Sequence, residues 1–297
     1  MPELLTLAPG VEVVRPDDGT RLRYSGDEVE LVRNFFSLLV FGQNEWAGQP
    51  FVLSAWEEEA IRQFYGVQAL DEDGTWSRYR RYLYEEIPKK NGKSEFAAGL
   101  GLYHLIADGE ARPQVGIFAA DKTNADIIYQ CAKYMVEHTA LGQPEHDPLV
   151  WCRDSVREIR SRDGGVMKVY SSDASTKHGF SFSAIIIDEL HAQPNRRLWD
   201  VLTAGSDAAR RQQAVIVLTT AGDDPDRRSI GWEIHEKCRR LLAWRRGEPE
   251  RELDSDEFIN LKLMELGTVR KGIADGEITD CKTIAALAMA ELKGLIE

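Results

Sequence analysis

Residues 183–187 are almost entirely apolar, and they lead directly into two carboxylates, Asp188 and Glu189. Short apolar runs without alternation are typical of strands covered on both faces, as in a parallel sheet between helices. Two adjacent carboxylates at the end of a buried strand are costly unless metal, water or cations meet them. The run therefore indicates an α/β fold with a polar site where this strand ends.

Similar apolar runs alternate with helical patterns along the middle of the chain. Strands are predicted at 79–87, 115–120, 166–170, 183–187 and 214–219, and helices at 27–42, 54–66, 94–107 and 123–138. Asp27 is predicted to cap the first helix, and Ser54 with Glu57 has the capping-box pattern at the second. The predicted fold class is α/β with a mostly parallel central sheet flanked by helices.

Composition divides the chain into three segments. Residues 1–26 mix Pro, Gly and charge without periodicity, and we expect an N-terminal arm there. Residues 27–247 carry the strand–helix alternation, and 248–297 form an acidic linker and a small helical tail. The length of 297 residues fits about two domains, or one large α/β domain with additions.

Composition also argues against several classes of protein. No run approaches the ~18 apolar residues of a membrane span, and no secretory leader pattern opens the sequence. The four cysteines are far apart, so neither a zinc site nor a disulfide framework is expected, and a reducing cytosol fits. A net charge of −12 argues against coating nucleic acid with the whole surface. Recurrent Arg-Arg pairs fit solvated helix faces, but they leave a focused basic track open.

The loop after the strand at 79–87 ends in Gly92-Lys93-Ser94. This triplet is the C-terminal half of a phosphate-binding P-loop. Gly92 permits close backbone approach, Lys93 would neutralise phosphates, and Ser94 would ligate Mg²⁺. The usual first glycine of the motif falls at Ile87, so the triplet alone leaves an exposed basic loop as the alternative.

The acid pair and a later strand end supply the other parts of a nucleotide site. In P-loop enzymes the first acid, here Asp188, supports Mg²⁺, and a following Glu such as Glu189 can polarise the water that attacks the γ-phosphate. The strand at 214–219 ends in Thr219 and Thr220, hydroxyls that could sense that phosphate. Together the motifs predict Mg²⁺-dependent ATP hydrolysis, although each alone also fits a strand that ends in a polar turn.

Four blocks of sequence carry a family resemblance: YEEIPKKNGKSEFAA, GIFAADKTNADIIYQCAKYMV, SSDASTKHGFSFSAIIIDELHAQP and VLTTAG. In this order they resemble the ATPase half of the large terminase subunit of tailed bacteriophages, over about residues 30–245. The resemblance implies a RecA-like P-loop ATPase of the ASCE class in a pentameric ring. It implies double-stranded DNA, the portal protein and the small terminase subunit as partners, in the cytoplasm of the infected bacterium and at the procapsid portal.

The resemblance also implies a role for each site residue. Asp188 would be the Walker B acid that holds Mg²⁺, Glu189 the catalytic base, and Thr219-Thr220 the coupling motif. Loops of this family often lack the first glycine and carry basic residues instead. The residues expected to bind ATP are Lys89, Lys90, Asn91, Gly92, Lys93 and Ser94, with Ser94 also a ligand of Mg²⁺.

Trp56 lies where the family usually places a Pro-Trp-Gln adenine motif. Ala55 and Glu57 replace the Pro and the Gln here. Glu57 can accept a hydrogen bond from an adenine amino group but has no amide hydrogen to donate, which places base selectivity in doubt. Trp56 is thus expected to contact ATP, with a position in the core as the alternative.

Two segments depart from the family pattern. Large terminases continue into an RNase H-like nuclease domain, and we expect no DNA cleavage by this chain because it ends too soon for one. Residues 252–297 resemble the C-terminal segment of Nudix ADP-ribose pyrophosphatases, but the catalytic Nudix box is absent. An ordinary small helical lid is the alternative for this tail.

Other functions and residues stay open at this point. A helicase-like translocase would need a second RecA-like domain, for which the chain is too short. A non-hydrolysing assembly module would bind nucleotide or DNA and tolerate the loss of Glu189. His178 and His191 flank the acid pair without the spacing of a catalytic triad or metal site, so surface or supporting roles are expected. An arginine from a neighbouring subunit is expected in a ring ATPase, but the sequence does not select one.

Overall fold

The computed structural model describes residues 11–15, 19–120, 122–143, 147–170, 181–193, 195–203, 210–220, 228–245 and 259–261. The helices are α1 (Gly26–Ser37), α2 (Ala55–Tyr65), α3 (Lys93–Ile106), α4 (Lys122–Glu137), α5 (Arg197–Thr203) and α6 (Ile230–Arg245). The first strands are β1 (Glu12–Val14), β2 (Arg21–Tyr24), β3 (Val67–Leu70), β4 (Trp76–Arg78), β5 (Tyr82–Glu86) and β6 (Gln114–Phe118). The later strands are β7 (Val150–Arg153), β8 (Glu158–Ser161), β9 (Val166–Val169), β10 (Ala184–Asp188), β11 (Ala214–Thr219) and β12 (Ile259–Leu261).

Within the described residues, an eight-stranded sheet has the order β12-β5-β11-β10-β6-β9-β8-β7. Neighbouring strands from β12 to β9 are parallel, whereas β8 and β7 continue the sheet in antiparallel fashion. The strands predicted from apolar runs are β5, β6, β9, β10 and β11, and all lie in the parallel part. The predicted α/β class with a mostly parallel sheet flanked by helices is therefore confirmed.

The parallel strands are buried because helices cover both faces of the sheet. In β10, Ile186 packs into the cluster formed with α1–α4, whereas Ile185 and Ile187 pack into the cluster formed with α5 and α6. The same division holds for β11, where Ile216 faces the first cluster. A strand with both faces covered needs no polar positions, which explains the absence of alternation in its sequence.

An aromatic cluster fixes α3, the helix that begins at Lys93. The ring of Phe36 in α1 stacks on Phe96 in α3 with centroids 5.5 Å apart, and it meets Phe51 edge-on at 5.1 Å. Gly99 makes the close approach of α1 possible, because a Cβ atom there would lie 2.4 Å from the Phe36 ring. The packing thus holds the helix and the loop that precedes it against the sheet.

The described residues of the expected N-terminal arm, 11–15 and 19–26, include two strands. Strands β1 and β2 join β3 and β4 in a four-stranded antiparallel sheet, and Leu22 of β2 is buried. The cap of α1 was also wrongly predicted, because Ser25 rather than Asp27 precedes the helix and its Oγ accepts a hydrogen bond from Glu28 N. The helix ends at Ser37, not at 42, because Val40 pairs with Pro50 in a β-bridge. The capping box of Ser54 and Glu57 is confirmed.

Most of the segment 248–297 lies outside the described residues. The same is true of most residues that carry its resemblance to Nudix proteins. The described residues Ile259–Leu261 form β12, which pairs in parallel with β5 at the edge of the sheet. A strand was not expected in a linker followed by a helix. Within the described residues, no helix is both long enough and apolar enough to cross a membrane.

We predict that Phe36→Ala lowers the free energy of unfolding by about 3–5 kcal/mol, because it leaves a cavity between α1 and α3. The control is Leu38→Ala, two residues further along the chain, where the leucine is 63% exposed. This change should stay within about 0.5 kcal/mol of the wild type. Urea denaturation of the three proteins measures both effects, and equal losses in the two variants would contradict the packing described here.

Candidate nucleotide-binding site

The strands that carry the predicted site residues end at one edge of the sheet. Strand β11 lies between β5 and β10, with Thr219 opposite Glu86 of β5 and Leu218 opposite Asp188 of β10. Because the three strands are parallel, their following loops leave the sheet side by side. The structure therefore brings the predicted P-loop, acid pair and threonine pair together.

The loop between β5 and α3 is closed by hydrogen bonds and by two left-handed residues. Its first residue, Ile87, donates its backbone N–H to Thr219 O at 2.9 Å. Asn91 Nδ2 donates to the carbonyls of Pro88 and Lys89 at 3.2 and 3.3 Å. Lys90 and Gly92 have φ values of 68° and 78°, which let the chain turn tightly into α3. Lys89 and Lys90 are exposed on this turn.

Lys93 lies inside this loop at the first position of α3. Its Nζ donates to Ile87 O and Pro88 O at 3.1 and 3.2 Å, and it lies 4.0 Å from Glu189 Oε1. Burial lowers the pKa of Lys93, although the negative charges of Glu189 and Asp188 oppose this shift. The buried ammonium group thus lies between the P-loop and the acid pair, and half-buried Ser94 follows it in the helical turn.

Glu189 is held in an unusual backbone conformation by contacts with the end of β11. Its φ of 50° is left-handed and turns the chain into the 3-10 helix Leu190–Ala192. Such a conformation costs about 1–3 kcal/mol in a non-glycine residue, and it persists only where surrounding contacts impose it. Its Oε2 accepts hydrogen bonds from Thr220 N and Thr220 Oγ1, both at 2.9 Å, and from Thr219 Oγ1 at 3.4 Å.

His191 completes the set of groups around the Glu189 carboxylate. Its Nδ1 lies 3.0 Å from Thr219 Oγ1 and 3.2 Å from Glu189 Oε2. The backbone of His191 packs on α6, where a Cβ atom added to Gly231 would lie 2.5 Å from His191 Cα. No residue spacing in the sequence would have identified this contact. Of the expected surface or supporting roles, the structure shows a supporting contact to Thr219 and Glu189. His178 lies outside the described residues.

The two carboxylates of the acid pair have opposite electrostatic environments. Burial, and after it the charge of Glu189, raises the pKa of Asp188 to about 7. Burial would also raise the pKa of Glu189, but the contacts with His191, Thr220 and Lys93 lower it to about 2. Glu189 is therefore ionised and satisfied by protein donors, whereas Asp188 is buried without comparable partners.

The oxygen groups at this edge fit a magnesium ion bound together with a nucleotide. Mg²⁺ in nucleotide sites is held by one or two carboxylates, substrate phosphates and waters, not by a cage of protein ligands. The carboxylate of Asp188 and the hydroxyl of Ser94 are hard oxygen ligands of this kind. In the part of the chain that the structure describes, no cluster of three or more His, Cys, Asp or Glu residues could hold a metal ion.

Trp56 and Glu57 lie at the start of α2, next to the P-loop. Trp56 is only 8% exposed and meets Phe96 of α3 edge-on, with centroids 5.1 Å apart, so its ring is part of the core. Its contact with ATP stays a prediction. Glu57 Oε2 accepts from Ser54 N at 2.7 Å, and a Cβ atom on Gly92 would lie 3.4 Å from Glu57 Oε1. Burial raises the pKa of Glu57 to about 7.

We predict that Glu57→Gln stabilises the protein at alkaline pH. The folded state of the wild type holds a proton on Glu57 up to pH about 7, above the ordinary value of 4.5, so its free energy of unfolding falls as the pH rises between these values. Glutamine keeps an oxygen that accepts from Ser54 but cannot ionise. The variant should exceed the wild type by up to about 3 kcal/mol at pH 8 and match it near pH 4.5.

Denaturation curves recorded between pH 4.5 and 8 measure this difference. Glu45→Gln, at an exposed position, serves as the control and should follow the wild type at every pH. A constant difference between Glu57→Gln and the wild type across the range would contradict the proposed ionisation of Glu57.

Comparisons with known proteins identify the family to which the chain belongs. The sequence profile described as "Terminase large subunit, ATPase domain" matches residues 65–237, more than half of the chain. The crystal structure of the large terminase of bacteriophage HK97 is similar over 90% of this chain, with a TM-score of 0.60 and 20% identity. The chain spans 52% of that protein, about half its length.

A second solved structure with the same kind of domain is more distant. The large terminase ATPase domain of Thermus phage P74-26 has 16% identity and a TM-score of 0.49, over 79% of this chain and 91% of that one. No protein of curated function matches the sequence. The profile match covers both the P-loop and the acid pair, and on that basis the chain belongs to the family of terminase large subunit ATPase domains.

Proposed function

We propose that this protein is the Mg²⁺-dependent ATPase of a phage DNA-packaging motor, which couples ATP hydrolysis to the movement of double-stranded DNA into the prohead. The observation that carries the proposal is that Lys93 Nζ lies 4.0 Å from Glu189 Oε1, which places the P-loop lysine next to the acid pair. Family membership supplies the packaging context.

In this proposal the P-loop binds the phosphates of ATP. The N-terminus of α3 directs free backbone N–H groups towards an anion, and Gly92 allows close approach. The Lys93 ammonium would exchange its bonds to the carbonyls of Ile87 and Pro88 for phosphate oxygens. The outer side of the loop would be lined by Lys89, Lys90 and Asn91. Trp56 would lie near the adenine of ATP.

Ser94 and Asp188 would hold Mg²⁺, which when bound neutralises charge on the phosphates. Glu189 would act as the general base that takes a proton from the attacking water. Its low pKa makes it a weak base while Thr220 and His191 hold its carboxylate. We therefore infer that turnover requires Oε2 to leave these donors, which would raise the basicity of Glu189 at the moment of reaction.

Thr219 and Thr220 would couple the nucleotide state to the rest of the fold. Thr220 contacts the Glu189 carboxylate through its backbone N–H and its hydroxyl, and Thr219 contacts both Glu189 and His191. His191 in turn packs on Gly231 of α6. Movement of the Glu189 carboxylate would thus be transmitted to His191 through polar contacts, and to α6 through the packing of His191 on Gly231.

The proposed partners follow from the family. They are double-stranded DNA, the portal protein, the small terminase subunit and further copies of this chain, in a ring of five on the prohead. A monomer in isolation is compatible with this assembly. The proposed location is the cytoplasm of the infected bacterial host and, transiently, the procapsid portal.

We predict that Glu189→Gln reduces ATP turnover by about 10²–10⁴-fold with little change in ATP affinity, because the amide cannot accept the proton. Steady-state turnover with Mg²⁺ at several protein concentrations measures the rate, and fluorescent-nucleotide binding measures the affinity. The control is Glu233→Gln in α6, an exposed glutamate paired with Arg196, which should turn over ATP like the wild type.

The possible outcomes separate the alternatives. Equal turnover in Glu189→Gln and the wild type would exclude Glu189 as the base. Nucleotide binding without turnover in either protein would favour a non-hydrolysing assembly module. A rate per subunit that rises with protein concentration would support an arginine supplied by a neighbouring copy.

We predict that Thr220→Val uncouples hydrolysis from DNA. The change removes one hydroxyl contact to Glu189 but keeps the backbone N–H bond and the shape of the side chain. Basal ATP turnover should stay within a few-fold of the wild type, whereas stimulation by double-stranded DNA should be lost. Ser37→Ala, at an exposed position at the end of α1, is the control and should respond to DNA like the wild type. A normal response to DNA in Thr220→Val would argue against the coupling role.

A further inference from the structure

Three strands at one end of the central sheet present a group of cations on one side. The strand register places Arg160 of β8 beside Trp151 of β7, and Glu158 of β8 between Arg153 of β7 and Lys168 of β9. Alternate residues of a strand point to the same side, so these five side chains share one face. We call this group, Trp151, Arg153, Glu158, Arg160 and Lys168, the basic face.

The cations of the basic face are gathered around a single acid. The Glu158 side chain is only 5% exposed, and its oxygens contact Arg160, Arg153 at 3.2 Å and Lys168 at 3.7 Å. Burial would raise the pKa of Glu158, but Arg160, Lys168 and Arg153 hold it below its ordinary value. Glu158 is therefore ionised, and three cations around one anion leave the face with two positive charges.

Two exposed arginines outside the basic face, Arg211 and Arg196, are compensated by acids instead. Arg211 meets two acids, Asp71 and Asp73. Arg196 also meets two acids, Asp200 and Glu233. Both of these clusters carry a net negative charge, in keeping with the net charge of −12 of the whole chain. The net positive charge of the basic face therefore contrasts with the net negative charge of the whole chain.

The two sides of these strands differ in their cover. On one side, Cys152, Ile159 and Met167 lie under α4 and join the main core. On the other side, α5 and α6 pack on β5, β10 and β11, and no described helix covers β7 or β8. Trp151 is 45% exposed on the edge strand, and Arg153 and Arg160 are 48% and 43% exposed.

We propose that the basic face binds the phosphate backbone of double-stranded DNA, an inference that rests on the proposed function in DNA packaging. Arginine presents a planar fork of donors that matches phosphate oxygens, and the indole N–H of tryptophan is a further donor. Neighbouring strands lie about 4.8 Å apart and alternate residues about 7 Å apart, so the cations form an array on an open surface. Contacts of this kind read phosphates and not bases, so binding is independent of sequence.

The test measures binding of a fluorescent 30-base-pair duplex by anisotropy at several NaCl concentrations. The matched pair of variants is Arg160→Gln, on the basic face, and Arg211→Gln, outside it, because both side chains are 43% exposed and ion-paired. Arg160→Lys keeps the charge and shows whether packing alone matters. Lys168→Gln is a second variant on the face, and it disturbs Glu158 least because its contact is the longest.

The expected result is a change in both affinity and salt dependence. Each lost phosphate contact makes the slope of log K against log salt less steep by about 0.9 and weakens binding by about tenfold near 0.1 M salt. Arg160→Gln and Lys168→Gln should each show this loss, and the double variant Arg160→Gln/Lys168→Gln about twice the loss in slope. Arg211→Gln should bind like the wild type, and Arg160→Lys should keep the wild-type slope because it keeps the charge. Duplexes of different sequence should bind alike.

ATP turnover without DNA is measured on the same proteins, so the two proposals can fail separately. Wild-type affinity and slope in both face variants would overturn the inference, as would a wild type that hydrolyses ATP but binds no duplex. Those results would instead direct attention to an acidic protein as the partner. DNA binding that depends on the face in a protein without ATP turnover would support the inference and overturn the proposed ATPase.

Discussion

The pairing of β11 with β5 on one side and β10 on the other joins the two halves of the site. The bond from Ile87 N to Thr219 O starts the P-loop at the end of β11, and the bond from Glu189 N to Leu218 O starts the acid turn there. A shift of β11 by one residue would move both loops and turn every side chain of the strand to the other face. The separation of Lys93 from Glu189 therefore depends on the register of one central strand.

At this edge of the sheet, the pKa values of Asp188 and Glu189 are shifted in opposite directions. Burial raises the pKa of both, but only Glu189 receives strong donors, from Thr220 and His191. The charge of Lys93 is the largest influence that lowers the pKa of Asp188, and a divalent cation would stabilise its ionised form further. The protein thus satisfies the Glu189 carboxylate with its own donors and leaves Asp188 with fewer of them, which suits the proposed role of Asp188 as a ligand of Mg²⁺.

Sequence reasoning succeeded where the signal was local or uniform. The apolar runs of β10 and β11 predicted a parallel sheet because both faces of these strands are covered, and the capping box of Ser54 lies within four residues. The left-handed turn at Glu189 and the contact between His191 and Thr219 were not predictable. They depend on residues about 30 positions apart, which only the completed sheet brings together. Strands β7 and β8 were not predicted. In the sequence, Glu158 indicates an exposed position, and its burial becomes possible only because three cations surround it in the folded sheet.

Net charge and local charge have different consequences in this fold. A chain with a net charge of −12 repels a polyanion over most of its surface, and this repulsion falls off within a Debye length of about 8 Å at physiological salt. A duplex can then approach the protein most closely when the basic face, with its two surplus cations, is turned towards the DNA. The acidic remainder of the surface would disfavour other orientations of the duplex and keep contacts weak enough for DNA to move, as the proposed translocation of DNA requires.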